Sequence, residues 1–312
     1  MNYGPIIKEI GRGAKGSRPL DIPTAADLFG DILDGKVPDL ELGAILIALR
    51  VKSESLDELL GFKQAMDARC AQVAVPAGPR CVVLPTYNGA RRQPNLMPLV
   101  ALLLARRGVP VLIQGRHDFE TRVSPFGLLA ALGIEPAANA ASAAAQLAAS
   151  RLACLRVDQL LPGLDRLLSL RPRMGVRGSG HTMAKLLDPA IGRSVRVVAV
   201  THPEYLERMD GFLRRDGGRA MLLRGTEGEI YANPRRCPEL KVYADGEGRI
   251  AVPAEEGGAP PLPGLPDTPS VADNAAIIRA MLAGEQAVPE PVRAQVAALA
   301  ELAADAPLPD QT

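Results

Sequence analysis

The sequence predicts an α/β fold with two parts: a small N-terminal all-helical domain and a larger α/β domain with a mainly parallel sheet. Three observations predict it. Between residues 24 and 73 the apolar side chains recur at helical spacing behind capping-type starts. Pro76, Gly78 and Pro79 then make a stiff break. Beyond the break, short apolar runs alternate with helical stretches, the pattern of parallel strands joined by helices. The expected division is a helical domain over 1–74, joined by about 160–188, and an α/β domain over 80–312.

The elements follow in order. Residues 4–10 read as a short helix running into Gly11, Arg12, Gly13, Ala14, Lys15 and Gly16. That string matches a dinucleotide-binding glycine pattern, but no buried strand precedes it, so the reading fails. A mobile basic arm with Lys8, Arg12, Lys15 and Arg18 is expected instead. Thr24 and Asp27 have capping-box spacing before Leu28, Ile32 and Leu33, and Gly35 closes that helix. Leu40, Leu42, Ile45, Leu46 and Leu49 form the next apolar face. Ser55 and Glu58 repeat the capping spacing and open a third helix through Leu59, Phe62 and Met66. The runs 81–84 and 109–113 read as buried strands, with helices over 96–107 and 124–132. Strands follow at 195–200, 219–223 and 241–243, with a helix over 203–214. Six prolines make 253–269 a loop, and helices at 274–282 and 292–303 close the chain.

Composition excludes several function classes. The 312 residues are 47% apolar and 23% charged, ordinary for a globular protein. The four cysteines, at 70, 81, 154 and 237, are too scattered for a CxxC site and argue against a disulfide scaffold. Three histidines make a His-rich metal site a poor reading. No apolar run approaches the roughly 20 residues of a membrane span. The first residues lack a signal-peptide apolar core, so a cytoplasmic, reducing address is expected. Trp is absent and aromatics are 3%, so nucleic-acid binding here cannot rest mainly on stacking. The formal charge of +1 hides an asymmetry: +2 over 1–150, +7 over 151–241 and −8 over 242–312. The middle third is where phosphate contacts are expected.

Chemistry in an open α/β sheet sits at the carboxyl ends of strands. After strand 81–84 come Thr86, Tyr87, Asn88, Gly89, Ala90, Arg91 and Arg92. A glycine in such a turn lets backbone amides approach an anion, and two arginines could hold phosphate. An ordinary turn with solvated arginines is the other reading. After strand 109–113 come Gln114, Gly115, Arg116 and His117; the histidine is a candidate general base. The densest cationic stretch holds Arg166, Arg171, Arg173, Arg177 and Lys185 against one acid, Asp165. Arg173 and Arg177 are four apart, which on a helix puts them on one face. Glu227 and Glu229 form a carboxylate turn after strand 219–223, a weak candidate for Mg²⁺.

Taken together, these segments resemble the anthranilate phosphoribosyltransferase family (glycosyltransferase family 3). The resemblance runs through Leu33–Gly35, Gly43–Lys52, Leu60–Phe62, Ala65–Met66, Met174–Arg177 and Asn274–Arg279. It is closer to the family's YbiB branch at Ile6–Gly13, Tyr87–Arg91, His202–Tyr205, Gly225–Glu229 and Tyr231–Pro234. It implies an anthranilate/nucleoside phosphoribosyltransferase-like fold. It places Arg171 where the family binds anthranilate, and sets the arginines around 171–177 and Arg91 and Arg92 beside an interdomain cleft. The departures are equally specific. The family's Gly-Thr-Gly-Gly-Asp donor loop is reduced to Thr86, Tyr87, Asn88, Gly89 and Ala90, where Tyr87 is expected to crowd the backbone's path. The Lys-His-Gly-Asn loop becomes Ile113, Gln114, Gly115 and Arg116. The Asp-Glu metal pair is reduced to Glu229, with Glu227 nearby. Tyr87, Asn88, Gly89 and Gly115 thus mark a degenerate donor site.

For the YbiB branch the resemblance implies a homodimer, through the helical domain, that binds DNA and RNA with little sequence preference. Arg91, Arg92, Arg116, Arg171, Arg173, Arg177 and Lys185 are the expected phosphate contacts, with no catalytic residue, metal or cofactor. The alternative is an active transferase that uses phosphoribosyl diphosphate and Mg²⁺ on an unidentified acceptor.

Overall fold

A computed structural model describes residues 1–13, 16–117, 121–265, 267 and 270–304. In chain order it contains α1 (Tyr3–Ile10), α2 (Ile22–Leu33), α3 (Asp39–Lys52), α4 (Leu56–Asp67), β1 (Cys81–Thr86), α5 (Met97–Arg106), β2 (Val111–Gly115), α6 (Pro125–Ala131), α7 (Ala140–Ser150) and β3 (Leu152–Arg156). There follow α8 (Val157–Leu160), α9 (Pro162–Ser169), α10 (Arg171–Met174), α11 (Ser179–Met183), β4 (Ser194–Val200), α12 (Pro203–Asp216), β5 (Arg219–Arg224), β6 (Leu240–Ala244), β7 (Glu247–Val252), α13 (Val271–Ala283) and α14 (Glu290–Ala303). The chain divides into two compact units, Met1–Ala71 with Val157–Pro189, and Gln72–Arg156 with Ala190–Thr312.

The first unit is all helix. Its centre is the α2–α4 pair, where the Phe29 and Phe62 rings stack at 4.5 Å. Ser55 caps α4 with the full reciprocal box that its spacing predicts. The start of α2 differs from expectation. Asp21 is its cap, accepting from Thr24 N at 2.9 Å, and Pro23 fills the first turn. Glu58 is fully buried and accepts from Leu20 N (3.0 Å), Ser55 N (2.7 Å) and Lys52 Nζ (2.6 Å).

The expected mobile arm is instead docked. Ile6 and Ile10, one helical turn apart, are both buried, Tyr3 Oη donates to Asp31, and Arg12 and Arg18 both face Glu9. Lys15 lies outside the described residues.

The second unit is a seven-stranded sheet in the order β3-β2-β1-β4-β5-β6-β7. The first five strands are parallel; β6 and β7 are antiparallel additions. β1 and β2 are buried along their whole length, as strands covered on both faces must be. The chain winds outward from β1 through β2 to β3, then returns to β4 on the other side of β1. The order therefore reverses between β1 and β4, and a ligand crevice in such sheets opens at that point, beyond the carboxyl ends. On the other side of β1, its last residue, Thr86, pairs in register with Gly115 at the end of β2.

Two buried amides on the closing helices fix the loops beside this point. Asn274 accepts from Asn95 N at 2.8 Å and donates to its carbonyl at 3.2 Å. Gln295 accepts from Ala232 N at 2.8 Å and donates to Ile230 O at 2.7 Å. Among the described residues no helix is long and apolar enough to cross a membrane.

Candidate functional site: a phosphate-type loop filled from within

The carboxyl ends of β1 and β5 are bridged by a side chain. Glu229 is fully buried. Its Oε1 accepts from the backbone N–H of Asn88 and of Gly89, both at 2.8 Å, and its Oε2 accepts from Thr86 Oγ1 at 2.6 Å. Successive backbone N–H groups converging on one oxygen form an anion nest. Here the anion is the chain's own carboxylate. One step along, Glu227 takes the next two amides on separate oxygens, Oε1 accepting from Arg92 N at 2.9 Å and Oε2 from Arg91 N at 3.2 Å.

Local backbone chemistry holds both carboxylates. Glu229 N donates to Thr226 O at 2.9 Å across a turn whose central residues, Glu227 and Gly228, have φ of 53° and 90°. A non-glycine residue at positive φ costs about 1–3 kcal/mol and persists only when its surroundings hold it. The Glu227 contacts to the facing loop, and Asn88 Nδ2 donating to Gly228 O at 2.8 Å, are those surroundings. On the loop side, Gly89 has φ 66°, and a Cβ there would lie 2.5 Å from Val123 O, with His117 and Arg122 close behind. Gly115 ends β2 so near β1 that a Cβ would meet Thr86 O at 1.8 Å. Burial first, and then the adjacent Glu227 and Glu229, push the Tyr231 hydroxyl well above its ordinary pKa. It stays a donor, bonded to Pro94 O at 2.9 Å.

Tyr87 lies at the start of the same loop, just after β1. Its hydroxyl donates to Gln114 Oε1 at 2.5 Å, leaning over β2, and the loop is filled by Glu229. Glu227 and Glu229 are likewise loop caps, not a pair presented to a metal. Among the described residues no three His, Cys, Asp or Glu side chains are grouped to hold a metal ion. Phosphoribosyl diphosphate and Mg²⁺ do not fit these residues. The loop amides of Asn88, Gly89, Arg91 and Arg92 already donate to the Glu229 and Glu227 carboxylates, which leaves them no donor for a second anion.

The cations divide between the two units. Beside the loop, the Arg91 and Arg92 side chains are exposed and have no side-chain partner among the described residues. Arg116 follows β2, half-buried, its N–H on Thr86 O at 3.1 Å. In the helical unit, Arg171 opens α10 and Arg173 is exposed, 3.7 Å from Asp39. Gly175, at φ 70°, ends α10, so Arg177 lies outside the helix and does not share a helical face with Arg173. Lys185 sits half-buried in a single 3₁₀ turn, 184–186.

The +7 of the middle third overstates its free charge. Arg166 donates to Leu33 O at 2.7 Å, Arg196 pairs with Asp216, Arg235 pairs with Asp267, and Arg214 and Lys241 share Asp210. Sequence reasoning missed Arg224, exposed at the end of β5 with no side-chain partner among the described residues, although its strand-end position was a usable signal. It also missed Arg122, whose Nη1 lies 3.3–3.5 Å from the carbonyls of Gly89, Asn88 and Glu227. A cavity of about 700 Å³ opens beside β5, with Glu227, Arg224 and Gln93 in its wall.

Comparison with known proteins decides the family. A model of the glycosyl transferase family helical bundle domain matches residues 4–70. The chain is 43% identical over 300 residues to protein YbiB of Escherichia coli (strain K12), covering 95% of this chain and 93% of that one. The chain belongs to the YbiB-type branch of the anthranilate phosphoribosyltransferase-like family. An anthranilate phosphoribosyltransferase of Methylobacterium radiotolerans is 30% identical over 276 residues, 86% of this chain and 78% of the relative. Among solved structures, the fold of this YbiB-type chain matches anthranilate phosphoribosyltransferase (TrpD) from Thermus thermophilus, with TM-score 0.76, 23% identity and 97% and 88% of the two chains covered. The Saccharomyces cerevisiae enzyme in complex with PRPP and Mg follows at TM-score 0.73 and 15% identity, with 96% and 88% covered. The helical N-terminal domain and the mainly parallel sheet expected from sequence are thus those of the family.

Proposed function

We propose that this YbiB-type chain is a sequence-nonspecific DNA- and RNA-binding protein on a phosphoribosyltransferase scaffold that no longer takes the ribosyl donor. The observation that carries the reading is the state of the strand-end loop. Its backbone donors are consumed by Glu229 and Glu227, while the arginines on the same loop, Arg91 and Arg92, extend unpartnered into solvent beside the exposed Arg224. Arginine's planar fork suits phosphate oxygens, and backbone-phosphate contacts need no base readout. Arg171, Arg173, Arg177 and Lys185 on the helical unit, with Arg116 on the sheet unit, are the further contacts of this reading. It needs neither metal nor cofactor, and it would operate in the cytoplasm.

The same reading includes a homodimer through α3. Leu40, Ile47 and Val51 are 82%, 42% and 71% exposed and lie at i, i+7 and i+11, one stripe of the helix. Leu59, Phe62 and Met66 are buried within the protomer and are not part of that face.

Transfer from phosphoribosyl diphosphate with Mg²⁺, the activity that the relatives' names suggest, finds no favourable observation at the filled loop. A mobility-shift titration with mixed-sequence DNA and RNA at low salt tests the proposal. Both are expected to shift over a similar protein range; failure of both to shift overturns it.

A further inference from the structure

We propose that the loop Thr86–Arg92 is an oxyanion nest which the chain occupies with its own Glu229 and Glu227 carboxylates, closing it to external diphosphate until those carboxylates are removed. The inference concerns the loop alone and does not depend on nucleic-acid binding.

Three observations converge. First, the donors are complete and aimed: four backbone N–H groups, of Asn88, Gly89, Arg91 and Arg92, and the Thr86 hydroxyl all point at carboxylate oxygens between 2.6 and 3.2 Å. None of these four amides bonds to a carbonyl of the loop itself; each is satisfied by a carboxylate from the β5 side. The loop keeps them for an anion. Second, the two carboxylates come from 135–143 residues away, on a turn that sets Glu227 at φ 53°. Strain held at a strand end, with the strained residue's side chain ligated by the facing loop, marks a contact the fold maintains. Third, the outer carboxylate is reachable. Glu227 is half-buried and forms part of the wall of the cavity of about 700 Å³, so an anion replacing it has a route from solvent.

The electrostatics give the direction. A diphosphate brings several negative charges to donors that already hold two, and can bind only where the internal anions leave. Phosphates of a nucleic-acid chain meet the same barrier, so they are expected on the arginine side chains and not on the loop amides.

The test uses inorganic diphosphate as probe and the full chain, with the backbone amide resonances of residues 88, 89, 91 and 92 as readout. In the wild type these resonances are expected to stay put at millimolar diphosphate. In the Glu227→Ala/Glu229→Ala double variant they are expected to shift saturably, with affinity at least tenfold above any residual wild-type value. Saturable wild-type shifts at these amides would overturn the proposal, and so would a folded double variant whose amides ignore the probe. Should the double variant not fold, Glu227→Ala alone decides. Its lost carboxylate is on the rim, and the Arg91 and Arg92 amides must then respond to diphosphate or the proposal fails. Binding of mixed-sequence DNA by the same samples is read separately and bears only on the reading above.

Discussion

Replacing Thr86 by Val keeps the shape of a fully buried side chain and deletes one hydroxyl. That hydroxyl donates to Glu229 Oε2 at 2.6 Å, a charge-assisted bond in a site closed to water. Such bonds contribute about 1.5–3 kcal/mol, and the partner left behind is a buried carboxylate oxygen with nothing to replace the donor. With a urea slope of about 2–3 kcal/mol per molar for a unit this size, the midpoint should fall by about 0.5–1.5 M. Thr86→Ser keeps the hydroxyl and loses only a methyl, about 1 kcal/mol. Tyrosine is a suitable probe, since four of the five, Tyr87, Tyr205, Tyr231 and Tyr243, lie in the sheet unit and Trp is absent. A Val variant no less stable than the Ser variant would refute the claim that Glu229 is anchored through this bond.

Changing Arg171, Arg173 and Arg177 together to Ala should weaken binding to all DNA sequences alike and flatten the salt slope by about 2–3; unchanged affinity and slope in a folded variant would move the contacts elsewhere. Leu40→Glu with Val51→Glu should take the light-scattering mass from twice 32.9 kDa to 32.9 kDa, and a wild type already at the lower mass at micromolar concentration would remove the dimer. For Asp210, burial opposes the charge, but hydrogen bonds from Lys241, Tyr243 and Arg214 outweigh it and hold the carboxyl at about 2. Its folded value lies below the unfolded value of about 3.9, so its stabilisation is complete above roughly pH 4 and lost as pH falls toward 2. Melting temperatures of wild type and Asp210→Asn should therefore differ at neutral pH and converge near pH 2; a gap that persists there counts against this.

The elements that were legible in the sequence are those with contrast. Ser55 and Glu58 announced the start of α4, and the uniform apolar runs at 81–84 and 109–113 announced β1 and β2. α7 was missed because Ala140–Ser150 is so rich in alanine that it has no apolar stripe to detect. β7 was missed because an edge strand with half-exposed residues alternates only weakly. Thr24 resembled a cap, but Asp21 lay three residues earlier with a proline behind it, a stronger start. In the site, the strand-end position of the 86–92 loop and the identity of the two carboxylates were readable. Their meeting was not, because it joins residues more than 130 apart and depends on β1 and β5 flanking β4. Nor could charge counting foresee that Arg166 and Arg196 are held by Leu33 O and Asp216, or that Arg214 and Arg235 pair with Asp210 and Asp267.

The measurement closest to the central claim is the affinity for a mixed-sequence DNA duplex across a salt series, with two unrelated sequences run in parallel. Seven candidate cations per protomer, of which a bound duplex engages a part, predict a slope of log K against log salt of roughly −3 to −6, nearly equal for the two sequences. No binding at low salt, or a slope shallower than about −1, would contradict the account.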